Sequence, residues 1–92
     1  MLFASLGSVR AGTDRERIAR RIQWSYPPGM KVVAEYWLMT DSPKVIIITE
    51  EDNIAPIMAA LSDWDDVFSW TVVPVATAEQ GLEIAKRTIK QA

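Results

Sequence analysis

Cysteine and histidine are both absent from the 92 residues. The lack of cysteine excludes disulfide bonds, thiolate metal sites and cysteine nucleophiles. The lack of histidine excludes the Ser-His-Asp mechanism, histidine-ligated zinc and the usual general base near neutral pH. Any catalysis would therefore use carboxylates, tyrosine, lysine, arginine, serine or a borrowed cofactor. We expect no resident cofactor and no metal.

Long hydrophobic runs are also missing. No apolar run reaches the roughly 20 residues that a membrane span requires, so we expect no membrane partner. The start of the chain lacks a basic leader, which favours a mature protein without a signal peptide and a cytoplasmic location. The length predicts a single domain over residues 1–92, near the lower size limit for folding without disulfides or metals.

Charges of the two signs occupy different parts of the chain. Residues 10–31 carry a local charge of +4, residues 35–83 carry −9, and the net charge is −2. Nucleic-acid binding requires a dominant basic surface, so this overall acidic chain is expected to bind no nucleic acid.

The order of apolar segments indicates an α+β fold. Strands are predicted near residues 1–6, 31–39, 45–49 and 67–75, with capping boxes at Thr13–Glu16 and Thr77–Gln80 before the first and last helices. Ile18, Ile22 and Tyr26 form the predicted inward face of the first helix. The pattern predicts a ferredoxin-like βαββαβ domain with a four-stranded antiparallel sheet plus a C-terminal helix. Pro74 marks the fourth strand as an edge strand.

One face of such a sheet is left uncovered by the first two helices. Strict alternation places Val33, Trp37, Met39 and Val73 on that face. Monomers rarely expose so large an apolar patch. We therefore expect a homodimer in which two sheets pack face to face, and a last helix that turns Leu82, Ala85 and Ile89 inward.

The chain resembles a family of short uncharacterised proteins of bacteria and archaea, a domain of unknown function. The resemblance rests on the opening Met-Leu-Phe, on the segments at 28–37 and 45–52, and on Trp64-x-Asp66 followed by Val72-Val73-Pro74-Val75. That family is similar to the dimeric alpha-beta barrel superfamily, which implies two sheets facing each other around a cavity. The family often has histidine where Trp37 stands and an acidic residue where Thr71 stands. If those family residues have a metal or acid–base role, the resemblance implies that this chain has lost or altered it.

The candidate ligand-binding residues are Glu35, Trp37, Thr71 and Ser5. A carboxylate on a half-apolar face is expected to have a raised pKa and to serve as a base or as an anchor for a ligand. In the alternative interpretation Glu35 pairs across the dimer or lies at its rim. No catalytic residue is assigned.

Three other patterns have simpler explanations. Gly7-x-x-x-x-Gly12-Thr13 resembles a phosphate loop but lacks its lysine, and is typical of a turn before a helix. The arginines of the first helix could bind RNA, but the third strand has no aromatic residue on which bases would stack, which favours a solvated basic face. Asp63, Asp65 and Asp66 lack the spacing of a calcium loop.

The leading functional hypothesis is a small dimeric α/β barrel that binds a small, partly apolar ligand between its sheets. A second hypothesis is a cofactor-independent monooxygenase or isomerase that uses Glu35 with its substrate against Trp37. A third is a regulatory or protein-interaction module that docks through its charged faces.

Overall fold

The computed structural model describes residues 1–91 of the protein. Four strands form one sheet: β1 (Leu2–Val9), β2 (Lys31–Trp37), β3 (Val45–Glu50) and β4 (Phe68–Val75). Three helices accompany them: α1 (Asp14–Gln23), α2 (Ala55–Ser62) and α3 (Ala78–Gln91). The order β-α-β-β-α-β-α is the one that the sequence pattern predicts.

The sheet is antiparallel with strand order β2-β3-β1-β4, which is the ferredoxin-like arrangement. The prediction of the fold is therefore confirmed. β4 is an edge strand, so Pro74 removes no hydrogen bond from the middle of the sheet.

Side-chain caps fix the starts of α1 and α3. The Glu16 amide donates to Thr13 Oγ1 over 3.1 Å. At the start of α3 the Gln80 amide donates to Thr77 Oγ1 over 3.0 Å, and the Thr77 amide donates to Gln80 Oε1 over 2.9 Å. Gly12 precedes the first cap at φ 83°, a left-handed conformation that glycine adopts without strain. Both predicted helix starts are confirmed.

The core lies between the helices and one face of the sheet. Its buried members come from three strands, from α2 and from the loop that follows α2: Phe3, Val45, Ile47, Ile57, Leu61, Trp64, Val67 and Phe68. Because α2 contributes Ile57 and Leu61 to this core, hydrophobic packing holds the helix against the sheet.

The predicted inward face of α1 is only partly right, because Ile18 borders the space between α1 and the sheet whereas Ile22 does not. Ile18 and Ile22 are 43% and 73% exposed, whereas Arg17 is buried. The Arg17 guanidinium donates to the carbonyls of Ala11 and Gly12 and to Asp14, over 2.7–2.8 Å, so its burial leaves no unpaired charge. Tyr26 lies beyond the end of the helix and does not belong to its stripe.

The C-terminal helix also differs from its prediction. Leu82 and Ile89 are 61% and 73% exposed, so α3 does not turn them against its own sheet. The molecule measures 52 × 29 × 16 Å, an elongated and thin shape. Within the described residues, none of the helices is both long enough and apolar enough to cross a membrane.

Candidate ligand-binding site

A bulge in β2 decides which face carries the candidate residues. Val32 pairs with Thr49, but Ala34 pairs with Ile48, so Val33 is an extra residue in the strand. After it, Glu35 and Trp37 point to the same side as Ile47 and Val45, which is the side covered by the helices. The placement of Trp37 and Glu35 on the uncovered face is therefore wrong, because strict alternation ignores the inserted residue.

The carboxylate of Glu35 is the centre of a hydrogen-bond cluster. Arg21 donates to it from Nε over 3.2 Å and from Nη2 over 3.0 Å. Trp37 Nε1 donates over 2.6 Å, and the Tyr26 hydroxyl donates to the other oxygen. Arg21 also donates to the Trp24 carbonyl over 3.0 Å, which ties the end of α1 to the same cluster. The four donor groups leave Glu35 with little free acceptor capacity.

These contacts set the protonation states of the cluster. Burial by itself would raise the pKa of Glu35, but the hydrogen bonds from Arg21, Tyr26 and Trp37 outweigh it and hold the pKa below its ordinary value. Burial and the neighbouring Glu35 carboxylate raise the pKa of Tyr26. The expectation of a raised pKa for Glu35 is therefore wrong: the group is a stably ionised carboxylate at neutral pH, suited to positioning and not to accepting a proton.

Between α1 and the sheet lies a cavity of about 240 Å3. Its walls include all four tryptophans of the chain and two other aromatic side chains: Trp24, Tyr26, Trp37, Trp64, Phe68 and Trp70. We call this space the aromatic cavity. From α1 the cavity is lined by Asp14, Arg17, Ile18 and Arg21, so Ile18 is the one aliphatic side chain that this helix contributes to the lining.

Five of the six rings form a continuous chain of contacts. Ring centroids are 4.9 Å apart for Tyr26 and Trp24, 5.6 Å for Trp24 and Trp64, 6.0 Å for Trp64 and Phe68, and 5.3 Å for Phe68 and Trp70. Separations of this size suit edge-to-face and tilted aromatic packing. The wall is therefore a continuous aromatic surface in which each ring packs against its neighbour.

Arginines brace this wall from α1. The guanidinium of Arg20 lies 5.2 Å from the Trp64 ring and that of Arg21 lies 5.4 Å from the Trp24 ring, within the range of cation–π contacts. Arg20 also makes a bidentate ion pair with Asp66, with both distances 2.8 Å. The basic face of α1 thus meets acidic residues of its own chain.

Ser5 and Thr71 do not join Glu35 and Trp37 at the cavity. Ser5 is buried on the helix-covered side of β1, opposite Ile47, but does not line the cavity. Thr71 pairs with Leu6 and faces the opposite, uncovered side of the sheet. The structure therefore brings together two of the four candidates and separates the others.

Sequence reasoning missed Arg21 and Tyr26 as partners of Glu35, and it missed Trp24 as part of the cavity wall. The i, i+4, i+7 spacing of Arg17, Arg21 and Trp24 was the available signal, because it puts all three on one side of α1 and its cap. The aspartates after α2 have structural partners: Asp63 accepts from Trp24 Nε1 over 2.9 Å, and Asp66 binds Arg20. Within residues 1–91, no three acidic side chains converge as metal ligands.

A family model described as a domain of unknown function, DUF3303, matches residues 1–89. The chain belongs to the DUF3303 family. Comparisons with curated proteins and with solved structures give no significant match. The expected membership of a family of unknown function is thereby confirmed, whereas the similarity to dimeric alpha-beta barrels stays a prediction.

The match spans every wall of the aromatic cavity in this DUF3303 protein, from Asp14 on α1 to Trp70 on β4. The cavity is therefore built entirely from the family's own domain. Since the family description assigns no activity, the function has to be argued from the cavity and from the uncovered surfaces.

Proposed function

We propose that this DUF3303 protein binds a small, largely apolar ligand in the aromatic cavity. The observation that supports the proposal is the convergence of all four tryptophans on one space of about 240 Å3. Binding sites for small molecules are typically concave, mostly apolar and equipped with a few fixed polar groups. The Arg21–Glu35–Tyr26 cluster supplies such fixed polar groups in one wall.

The size of the cavity limits the ligand. A cavity of roughly 150 Å3 holds a benzene molecule. On that scale the aromatic cavity suits a two-ring aromatic body or an aliphatic body of similar volume, on the order of ten non-hydrogen atoms. Flat bodies fit best because the surrounding rings offer faces and edges at stacking distance.

Trp37 is the most exposed aromatic side chain in the wall of the cavity. Its side chain is 55% exposed, and its Nε1 atom donates to Glu35 over 2.6 Å. A ligand that covers the Trp37 ring would remove that apolar surface from water and gain the corresponding hydrophobic free energy.

A direct test uses 2-naphthalenemethanol as a neutral two-ring probe, followed by tryptophan fluorescence and by thermal unfolding. We expect saturable binding that is abolished by Ile18→Trp, because Ile18 lines the cavity from α1 and a larger ring would fill it. Ile22→Trp is the matched control one turn further along the same helix, and it should bind as the wild type does. Absence of saturable binding, or equal binding by both variants, would contradict the proposal.

The enzyme hypothesis loses the residue on which it depends. A general base must have free acceptor capacity and a pKa near the working pH, whereas Glu35 is saturated with donors and its pKa is lowered. The docking hypothesis also weakens, since Arg20 and Arg21 use their charges within the chain.

A second proposal concerns the side of the sheet that α1 and α2 leave uncovered. Its central side chains are apolar, and we call this surface the open face: Ala4, Leu6, Tyr36, Ile46, Ile48 and Val73. We infer that a second copy of the chain covers it through a twofold contact, since a single copy rarely leaves such a patch in water.

We infer that α3 also takes part in the proposed contact, because the open face alone is smaller than a stable interface. Four strands about 4.8 Å apart and six residues rising about 3.3 Å each give a footprint of roughly 400 Å2. Stable interfaces bury about 800 Å2 on each partner. The bare apolar side of α3, with Leu82 and Ile89, supplies the additional surface.

Sedimentation equilibrium tests this second proposal. The wild type should have the mass of a dimer, and Val73→Lys should shift it toward the monomer by placing a charge on the open face. Met58→Lys, an exposed position on α2, is the control that should leave the dimer intact. A wild type that stays monomeric at high micromolar concentration would refute the dimer.

A further inference from the structure

The charged groups around the aromatic cavity do not balance. Three cationic side chains, Arg17, Arg21 and Lys44, line it together with two carboxylates, Asp14 and Glu35. Arg21 and Glu35 compensate each other through two hydrogen bonds. The remaining three groups leave one excess positive charge.

That excess charge lies at Lys44. Arg17 is buried and already paired, because it donates to two backbone carbonyls and binds Asp14 Oδ1 at 2.7 Å. Lys44 Nζ lies 3.4 Å from the same oxygen, longer than the roughly 2.7–2.9 Å of a strong charged hydrogen bond. Lys44 thus shares a carboxylate that Arg17 already holds, and its ammonium group has donor capacity to spare.

The position of Lys44 suits contact with a ligand. Its backbone is fixed one residue before β3, where its amide donates to the Gly7 carbonyl over 2.7 Å. Its side chain is mostly shielded, at 22% exposure, and it lines the same space as Trp37 and Trp70. A partly shielded ammonium beside an apolar wall attracts an anion more strongly than one in open solvent, because screening by water is weaker.

We propose that the ligand of the aromatic cavity is a monoanion: a flat apolar body with one carboxylate-like group, which pairs with Lys44 while the body stacks on the tryptophans. This inference rests on the proposed ligand binding and adds the chemical class of the ligand. Asp14 competes with the ligand for Lys44, so the ligand exchanges one carboxylate partner of Lys44 for another.

The test compares two probes of the same shape, 2-naphthoate and the neutral 2-naphthalenemethanol, by fluorescence titration at low ionic strength. The wild type should bind 2-naphthoate about tenfold more tightly, as expected for one partly shielded charged hydrogen bond. Lys44→Met should remove that preference, so that the two probes bind the variant with similar affinity. Lys86→Met, at an exposed position on α3, is the matched control and should keep the preference.

A second variant changes the affinity in the opposite direction. Asp14→Asn removes the competing carboxylate and should tighten binding of 2-naphthoate severalfold, an effect that salt reduces because the pair is partly exposed. Equal binding of the two probes by the wild type, or an unchanged preference in Lys44→Met, would overturn the anion proposal while leaving ligand binding in place. Failure of both probes to bind would instead overturn the proposed function itself.

Discussion

Glu35 shows how a single residue changes its role with its surroundings. On a half-apolar face Glu35 would be a carboxylate with a raised pKa. In the structure it instead accepts hydrogen bonds from Arg21, Tyr26 and Trp37. The pKa of Glu35 is consequently lowered despite its burial. Its hydrogen bonds connect three parts of the chain around the aromatic cavity: α1, the segment that follows α1, and the strand β2.

The lowered pKa of Glu35 makes a prediction about stability and pH. Because the folded-state pKa is lower than the unfolded value of about 4.3, the ionised carboxylate stabilises the fold above that value. This contribution is lost as the pH falls through the folded-state pKa. Glu35→Gln should lower the free energy of unfolding at pH 7 by about 2–3 kcal/mol, because Arg21 loses its charged partner.

Urea unfolding at pH 7 and at stepwise lower pH measures this effect. The difference between the wild type and Glu35→Gln should narrow as the pH drops below about 4. Glu83→Gln, at an exposed position on α3, should show no such difference at neutral pH. A Glu35→Gln protein as stable as the wild type at pH 7 would show that the cluster contributes nothing to folding.

At the scale of the elements, hydrophobic patterning and caps were sufficient to predict the order of strands and helices. The local signals at Thr13, Pro74 and Thr77 act within a few residues, so the structure retains them. Pro74 alone predicted that β4 is an edge strand. The ferredoxin-like topology follows from these signals because only a few sheet orders connect such elements without crossings.

The bulge at Val33 explains why the candidate site was placed on the wrong side. One extra residue in a strand reverses the faces of everything that follows it, and neither a glycine nor a proline marks the position. The burial of Arg17 was also missed, because Arg17 donates to the backbone carbonyls of Ala11 and Gly12. Every residue has a backbone carbonyl, so the sequence does not indicate such a partner. Both errors concern the direction in which side chains point, whereas the predicted strand and helix are both present.

For the whole molecule, the sheet separates two proposed surfaces. The aromatic cavity lies on the side of Val45 and Ile47, and the open face lies on the side of Ile46 and Ile48. The sequence predicted one combined site, with the ligand between the sheets of two subunits. The structure instead builds the cavity within one chain, so the proposed ligand site and the proposed dimer contact would have separate determinants.

This separation predicts that the two properties can be uncoupled. Val73→Lys should produce monomers that still bind 2-naphthalenemethanol with the affinity of the wild type, because Val73 faces away from the cavity. Ile18→Trp should do the reverse, losing the probe while keeping the mass of a dimer. The measurement is a fluorescence titration of each variant, paired with sedimentation of the same samples. Loss of probe binding in a folded Val73→Lys monomer would place the ligand between subunits after all, since only a shared site depends on the partner copy.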